Sequence, residues 1–423
     1  MNTTAQAYAG WLAPQLAALP RRLRVEWPGG GLGSPRWDVR LRVQGTRALS
    51  WLTRGDAGRL ADAYVRGDLE IDGAMPDVMA IVAELVGDPR RTTAPHAFAR
   101  MWQALRSRLA HTLARDARQV RSHYDTGDAF FALWLDPLRV YSCAYYKDDG
   151  IGDARSLEEA QQAKLDLVCR KLQLAPGQRL LDVGAGWGAL VLWAAKHYRV
   201  RAVGITLSHR QHAYMVDRIE DAALAGSIDV RLLDYRALPR DALAFGGFDR
   251  IASVGMFEHV GLAQLDGYFG TLAGLLRPGG LLLNHGIASA SVDHAELGRG
   301  IGDFIERYIF PGGELVHVSD AVRSLAHGGF ELVDAENLRP HYARTLWAWS
   351  AALERQLDAA RALVPEATLR AYRLYLAGCA MSFERGWLAL YQLLAAKPDG
   401  DIAGHAMRGA QSAYLFRRGH MPG

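Results

Sequence analysis

The stretch Leu180-Leu181-Asp182-Val183-Gly184-Ala185-Gly186-Trp187-Gly188 constrains the fold of this chain more than any other. Apolar strand positions run into a turn with glycine at every second place, and a helix-like run, Ala189–His197, follows. Strand, tight turn and helix in that order belong to parallel-sheet folds that seat a ligand at a helix N-terminus, where unbonded N–H groups face outwards. Glycine removes the Cβ atoms that would hold a ligand off the backbone. The spacing is G-x-G-x-G, whereas dinucleotide sites use G-x-G-x-x-G. Asp182 would repel a pyrophosphate and accept an ammonium group or a network of amides. Both details favour S-adenosylmethionine (SAM), with its cationic methionine end, although the loop by itself leaves a dinucleotide open.

The alternation around the loop is regular. Arg179–Val183, Val200–Ile205, Asp229–Leu233 and Phe248–Val254 read as strands, separated by helical stretches at 189–197, 208–225 and 262–276. Arg277-Pro278-Gly279-Gly280 ends the last helix before the strand Leu281–His285. Strands alternating with helices imply a parallel sheet with right-handed crossovers, whose ligands sit at the carboxyl ends of the strands. That edge should gather Thr206, Asp234-Tyr235, Gly255–His259 and His285–Ile287. Residues 286–318 exceed a normal connection and are expected to form a lid or substrate wall. Glu331–Ala335 and Ser412–Phe416 are expected to complete the sheet, with Leu346–Val364 and Glu366–Ala395 as helical cover. Upstream, Ser156–Leu172 reads as a helix ended by Ala175-Pro176-Gly177.

The front of the chain is different. Leu23–Trp27 and Trp37–Val43 alternate apolar and polar residues around a glycine-rich turn, Pro28–Ser34, which predicts a hairpin. Arg59–Val65 and Met75–Val86 read as helices, and Gly67–Gly73 as an extended edge. From Ala97 to Val120 one helical face carries Phe98, Met101, Trp102, Leu105, Leu109 and Leu113, and arginines cover the rest. Residues 1–121 hold 18 Arg, no Lys and 11 acidic residues, a charge of +7 in a chain whose total is +4. Such a basic front half suits an anionic partner, either lipid headgroups or nucleic acid; a solvated arginine-rich surface is the plain alternative. No apolar run approaches the roughly 20 residues needed to span a bilayer, and the first residues lack the order of a signal peptide. The three cysteines suggest neither a disulfide framework nor a zinc knuckle. His209 and His212 have helical metal-pair spacing without an evident third ligand, so no metal is expected.

Six ordered motifs then narrow the reading. They are Tyr141-Ser142-Cys143-Ala144-Tyr145-Tyr146, the glycine loop, Gly204-Ile205-Thr206-Leu207-Ser208, Asp234-Tyr235-Arg236, Ser253–Gly261 and Arg307-Tyr308-Ile309-Phe310-Pro311-Gly312-Gly313. Over roughly residues 120–420 the chain resembles the cyclopropane-fatty-acyl-phospholipid synthases and the mycolic acid cyclopropane synthases. Asp62-Ala63-Tyr64-Val65-Arg66-Gly67 resembles the extra N-terminal domain of the phospholipid enzymes. The resemblance implies an α/β, SAM-dependent methyltransferase-like doubly wound sheet, mostly parallel with an antiparallel edge strand, plus a smaller N-terminal α+β domain. It places a lipid-interacting domain at 1–121 and a catalytic domain at 122–423.

The implied reaction is cyclopropanation of cis double bonds in phospholipid acyl chains, with SAM as methylene donor and a bound bicarbonate ion as base. An alkene is a poor nucleophile, so sulfonium methyl and π bond must be aligned in a dry pocket. By motif match, Cys143, Glu258, His285, Ile287 (through its backbone) and Tyr342 cradle the bicarbonate. SAM would meet Tyr141, Ser142, Gly184, Gly186, Thr206, Leu207, Gln211, Tyr235 and Arg236, with Asp182 beside the loop. Two positions depart from common patterns. Ala185 stands where many members have cysteine, and Thr206 where many other SAM enzymes place an acid for the ribose. The implied partner is a phospholipid surface and not nucleic acid, with a homodimer working peripherally on the cytoplasmic side of the membrane. Methyl branching without ring closure, methylation of a small amine, and an inactive RNA- or lipid-binding module remain as alternatives.

Overall fold

The structure is a computed structural model that describes residues 3–45, 47–88, 127–146, 155–238, 247–292, 298–310, 314–400, 407–409, 414, 419 and 421. The arginine-bearing helix expected over 97–120 and the 121/122 domain boundary lie outside the described residues. By its contacts the chain divides into two units: one of residues 1–94, 295–311 and 346–387, the other of 95–294, 312–345 and 388–423.

In the first unit, β1 (Leu23–Trp27), β2 (Gly30–Gly33), β3 (Val39–Val43) and β4 (Leu69–Gly73) form a sheet in the order β2-β1-β3-β4. The hairpin expected between 23–27 and 37–43 is corrected here. β1 pairs antiparallel with β2, which occupies the glycine-rich turn, and it runs parallel to β3. Three glycines in four residues let β2 pass beside β1 without side chains to place, and Gly33 at φ +96° has no room for a Cβ beside Leu23 O. β4 is one of the two edges, as expected, and β2 is the other. Val25, Leu41 and Val43 turn to one core with Leu49, Tyr64 and Met381. The helices Ala57–Arg66 and Met75–Val86 follow their apolar spacing, and Asp56 caps the first by accepting from Arg59 N.

The second unit is a seven-stranded sheet of β5 (Arg179–Val183), β6 (Arg201–Thr206), β7 (Ile228–Leu232), β8 (Phe248–Val254), β9 (Leu276–Ser289), β10 (Glu331–Asn337) and β11 (Leu388–Ala396). Its order is β10-β11-β9-β8-β5-β6-β7. The strands β5 to β9 run parallel to one another, and β11 is antiparallel to both β9 and the edge strand β10. The order reverses at β5, so the glycine loop leaves the sheet at a topological switch point. Alternation sorts the sheet's side chains: Leu180, Leu281, Leu283 and Leu394 enter one core, while Leu181, Leu282 and Leu393 enter the other.

β11 corrects a second expectation. Residues 388–395 were expected to be helix, but the run LALYQLLAA is buried on both faces of the sheet. A short apolar run reads equally well as helix or buried strand until its neighbours are known. Of the segment 412–416, also expected in the sheet, only Tyr414, buried in a core and at a bend, is among the described residues; the rest lies outside them. The helix Leu157–Lys171 opens on a reciprocal cap between Ser156 and Glu159.

Candidate active site

At the end of β5 the backbone turns through Gly184, Gly186 and Gly188, all at positive φ (+81°, +56° and +86°). A Cβ on Gly184 would meet Met256 Cγ at 3.0 Å, whereas one on Gly186 would meet nothing within 4 Å. The first glycine is therefore needed for close packing and turn geometry, the second for backbone conformation beside open space. Trp187 is buried and donates Nε1–H to Asp128 Oδ1 at 3.1 Å, with its ring 5.2 Å from Phe131. Phe131 and Trp134 in turn pack on Tyr141 at 5.6 and 5.4 Å. The aromatic stretch before residue 150 thus braces the loop.

The next carboxyl end, after β6, carries Thr206. Its hydroxyl donates to Gln211 Oε1 at 2.8 Å and accepts from Ser208 N at 3.2 Å, and Ser208 caps the following helix. Leu207 between them is half-buried. After β7, Asp234 holds Arg236 by two hydrogen bonds of 2.9 and 2.7 Å, and the Arg236 guanidinium lies over the Tyr235 ring. Tyr235 stands edge-on to Tyr268, whose hydroxyl donates to Ser253 Oγ at 2.7 Å. Thr206, Asp234-Tyr235 and Gly255–His259 lie at or just beyond the carboxyl ends of β6, β7 and β8, as expected, whereas His285–Ile287 lies within β9, which runs on to Ser289.

A second cluster gathers Cys143, Glu258, Ile287 and Tyr342 through a relay of backbone contacts. Ile287 N donates to Glu258 Oε1 at 2.7 Å. Ile287 is in register with Leu390 of β11, Leu390 O accepts from Leu338 N at 2.8 Å, and Leu338 O lies 3.9 Å from Cys143 Sγ. Tyr342, also buried, begins one turn later, its N–H donating to Leu338 O at 3.0 Å. The backbone N–H of Ile287 is thus already given to Glu258. Gly286 makes room for this arrangement: a Cβ there would lie 2.0 Å from the Phe257 ring and 3.2 Å from Glu258 Cδ.

Burial sets the electrostatics. Enclosure raises the Glu258 carboxyl to about 7, opposed by the Ile287 hydrogen bond. Burial also pushes the Cys143 thiol up, so it stays neutral. His285 is held well below its usual value by desolvation and by Lys164 and Lys171, and is a neutral imidazole. Glu258 Oε2 and His285 Nε2 are buried and have no hydrogen-bond partner among the described residues. Buried polar atoms are seldom left so, and each points to a ligand.

Sequence reasoning missed three contributors. Lys164 is 2% exposed, donates Nζ–H to Ser142 Oγ at 2.9 Å, and is a charge neighbour of Asp182, Asp136 and Cys143. Burial lowers the lysine and raises Asp182, while each opposes the other's shift. Gln161, one turn before it, donates to Ser142 O at 2.8 Å. Gln392, on the misread β11, contacts His285. A lysine and two amides at buried positions of apolar-looking segments were the available signal. His212 places Nε2 3.3 Å from Val230 O.

The profile of the mycolic acid cyclopropane synthetase family matches residues 111–393. The chain belongs to that family. It is a SAM-dependent methyltransferase of the cyclopropane synthase family. It is 44% identical over 390 residues to a probable fatty acid methyltransferase of Pseudomonas putida, covering 92% of this chain and 95% of that protein. It is 39% identical over 277 residues to the cyclopropane-fatty-acyl-phospholipid synthase of Escherichia coli, covering 65% and 66%. Among solved structures, the cyclopropane synthase MmaA2 from Mycobacterium tuberculosis superposes with a TM-score of 0.61 at 37% identity, over 66% of this chain and 98% of that one. The mycolic acid cyclopropane synthase CmaA1 complexed with SAH and CTAB gives 0.61 at 36% identity, over 66% and 97%. Among the described residues no helix is long and apolar enough to cross a membrane.

Proposed function

We propose that this enzyme transfers a methylene group from SAM to a cis double bond of a phospholipid acyl chain, closing a cyclopropane ring. The observation that carries the reading is the pair of unpartnered buried atoms, Glu258 Oε2 in the turn after β8 and His285 Nε2 on the neighbouring strand β9. The residues fit a small oxyanion such as bicarbonate. A neutral imidazole beside a carboxyl titrating near neutrality offers hydrogen-bond donors without a second fixed negative charge. Bicarbonate bound there supplies the base for the proton that must leave the transferred methyl carbon.

The chain's own residues do the rest. The loop Gly184–Gly188 and Thr206–Gln211 would seat SAM, and Lys164 holds Ser142 and is a charge neighbour of Asp182. The alkene's π electrons form a bond to the sulfonium methyl as the S–CH3 bond breaks, which leaves a carbocation on the acyl chain. Loss of one proton from the new methyl then supplies the electron pair that closes the ring. Glu258, whose Oε1 is fixed by Ile287 N–H, can take up a proton at Oε2. A dry site keeps water from quenching the cation. We place the enzyme at a phospholipid surface, as a homodimer.

Incubating the full chain with SAM and vesicles of cis-unsaturated phospholipid tests this. The expected acyl product gains one CH2, loses its vinyl protons, needs no reductant, and forms faster when bicarbonate is added to carbonate-depleted buffer. A methyl-branched chain or a methylated amine would reject it. Branching is the second reading, favoured by the 44%-identical relative named a probable fatty acid methyltransferase.

A further inference from the structure

His285 and Gln392 face each other across two paired strands, in register, both buried. The amide Nε2 of Gln392 lies 3.1 Å from His285 Nδ1. In this orientation, with Gln392 Oε1 buried and unpartnered among the described residues, the amide N–H donates and the imidazole nitrogen facing it accepts. A neutral imidazole with Nδ1 accepting carries its single proton on Nε2. That is the atom left without a partner among the described residues. From this juxtaposition we propose that Gln392 is a positioning residue that locks His285 as its Nε2–H tautomer and thereby aims a hydrogen-bond donor, not a lone pair, into the site.

The lock rests on the reading under Proposed function only for its purpose; the tautomer itself requires no substrate. Its chemistry selects the ligand's charge class. A buried N–H attracts an oxyanion, whereas a bare imidazole lone pair at the same place repels one and would suit a donor or a metal ion. Burial and the nearby positive charges of Lys164 and Lys171 disfavour a second proton on His285, so a single-proton donor requires an external partner to choose the nitrogen. Strand pairing makes that choice durable. β11 is held between β9 and β10, so the amide cannot withdraw without breaking the ladder on both sides.

Long-range 1H–15N correlation on the full chain labelled in histidine decides the matter, with His285 assigned from a His285→Gln variant. The expected spectrum shows His285 Nδ1 unprotonated and Nε2 protonated, unchanged across neutral pH. Gln392→Met, close in volume, should leave the two tautomers mixed. It should also lower kcat roughly ten- to a hundredfold, the range seen when a metal-bound histidine loses its orienting partner, with SAM affinity unchanged. A protonated Nδ1 in the wild type would overturn the proposal, as would a Gln392→Met spectrum identical to it. Should that variant not fold, the wild-type spectrum alone decides. If the tautomer is as expected but no cyclopropane forms in the vesicle assay, the lock stands and the proposed reaction fails.

Discussion

Glu258 shows how much one buried atom can decide. Its carboxyl titrates at about 7 against an ordinary value of 4.5, because burial disfavours the charge more than the Ile287 N–H supports it. Between those two values the folded chain holds a proton that the unfolded chain has lost. Stability therefore falls as pH rises through that window, and the penalty is complete above about 7. Glutamine cannot ionise. The stability of Glu258→Gln relative to the parent should rise between pH 5 and 8, by up to roughly 3 kcal/mol, read from denaturant midpoints at each pH. A gap that stays constant across that range would mean the carboxyl ionises as if exposed. The same variant should lose most activity while still binding SAM; parallel loss of both would place Glu258 in the SAM site.

At the scale of elements, the site is built by strand ends and by what they leave out. Gly286 sits between His285 and Ile287, where Phe257 and Glu258 occupy the space of a side chain. Gly286→Ala should cost roughly 1–3 kcal/mol through overpacking and displace the carboxylate that Ile287 holds, lowering kcat more than it alters SAM binding. Gly267 is the control. It lies in the helix Leu265–Leu275 with nothing within 4 Å of its missing Cβ, so Gly267→Ala should stabilise by about 0.5–1 kcal/mol. Equal effects of the two substitutions, in thermal denaturation and in turnover, would show that the crowding at Gly286 has no consequence. β11 belongs at this scale too. It supplies Gln392 and, through Leu390, the link from Ile287 to Leu338 and so to Cys143.

For the whole molecule, the asymmetry of charge is the property that matters. The first 121 residues carry +7 and the remainder −3. If the basic portion meets anionic lipid, each arginine near the surface contributes about 1 kcal/mol. Screening then removes the attraction, because the Debye length falls from about 10 Å at 0.1 M salt to about 3 Å at 1 M. Co-sedimentation with vesicles of anionic phospholipid should be strong at low salt and largely lost at 1 M, with weak binding to zwitterionic vesicles. Binding that ignores both salt and lipid charge would remove the electrostatic basis of the proposed surface.

Local pattern was enough for much of this protein. The glycine loop, the strands at 179–183 and 248–254, the helices at 75–86 and, to within a residue, 189–197, and the gathering of loops at one sheet edge follow from periodicity, turn chemistry and the rule for parallel sheets, which act over a few residues. Tertiary pairing decided the rest. Only the sheet could make LALYQLLAA a strand and set β1 parallel to β3, because an apolar run has no preferred partner until another strand lies beside it. Likewise Lys164, Gln161 and Gln392 became visible as site residues only once folding had buried them beside Ser142 and His285. A polar side chain acquires such a role from the partner it meets and the water it loses, and neither is written in its neighbours along the chain.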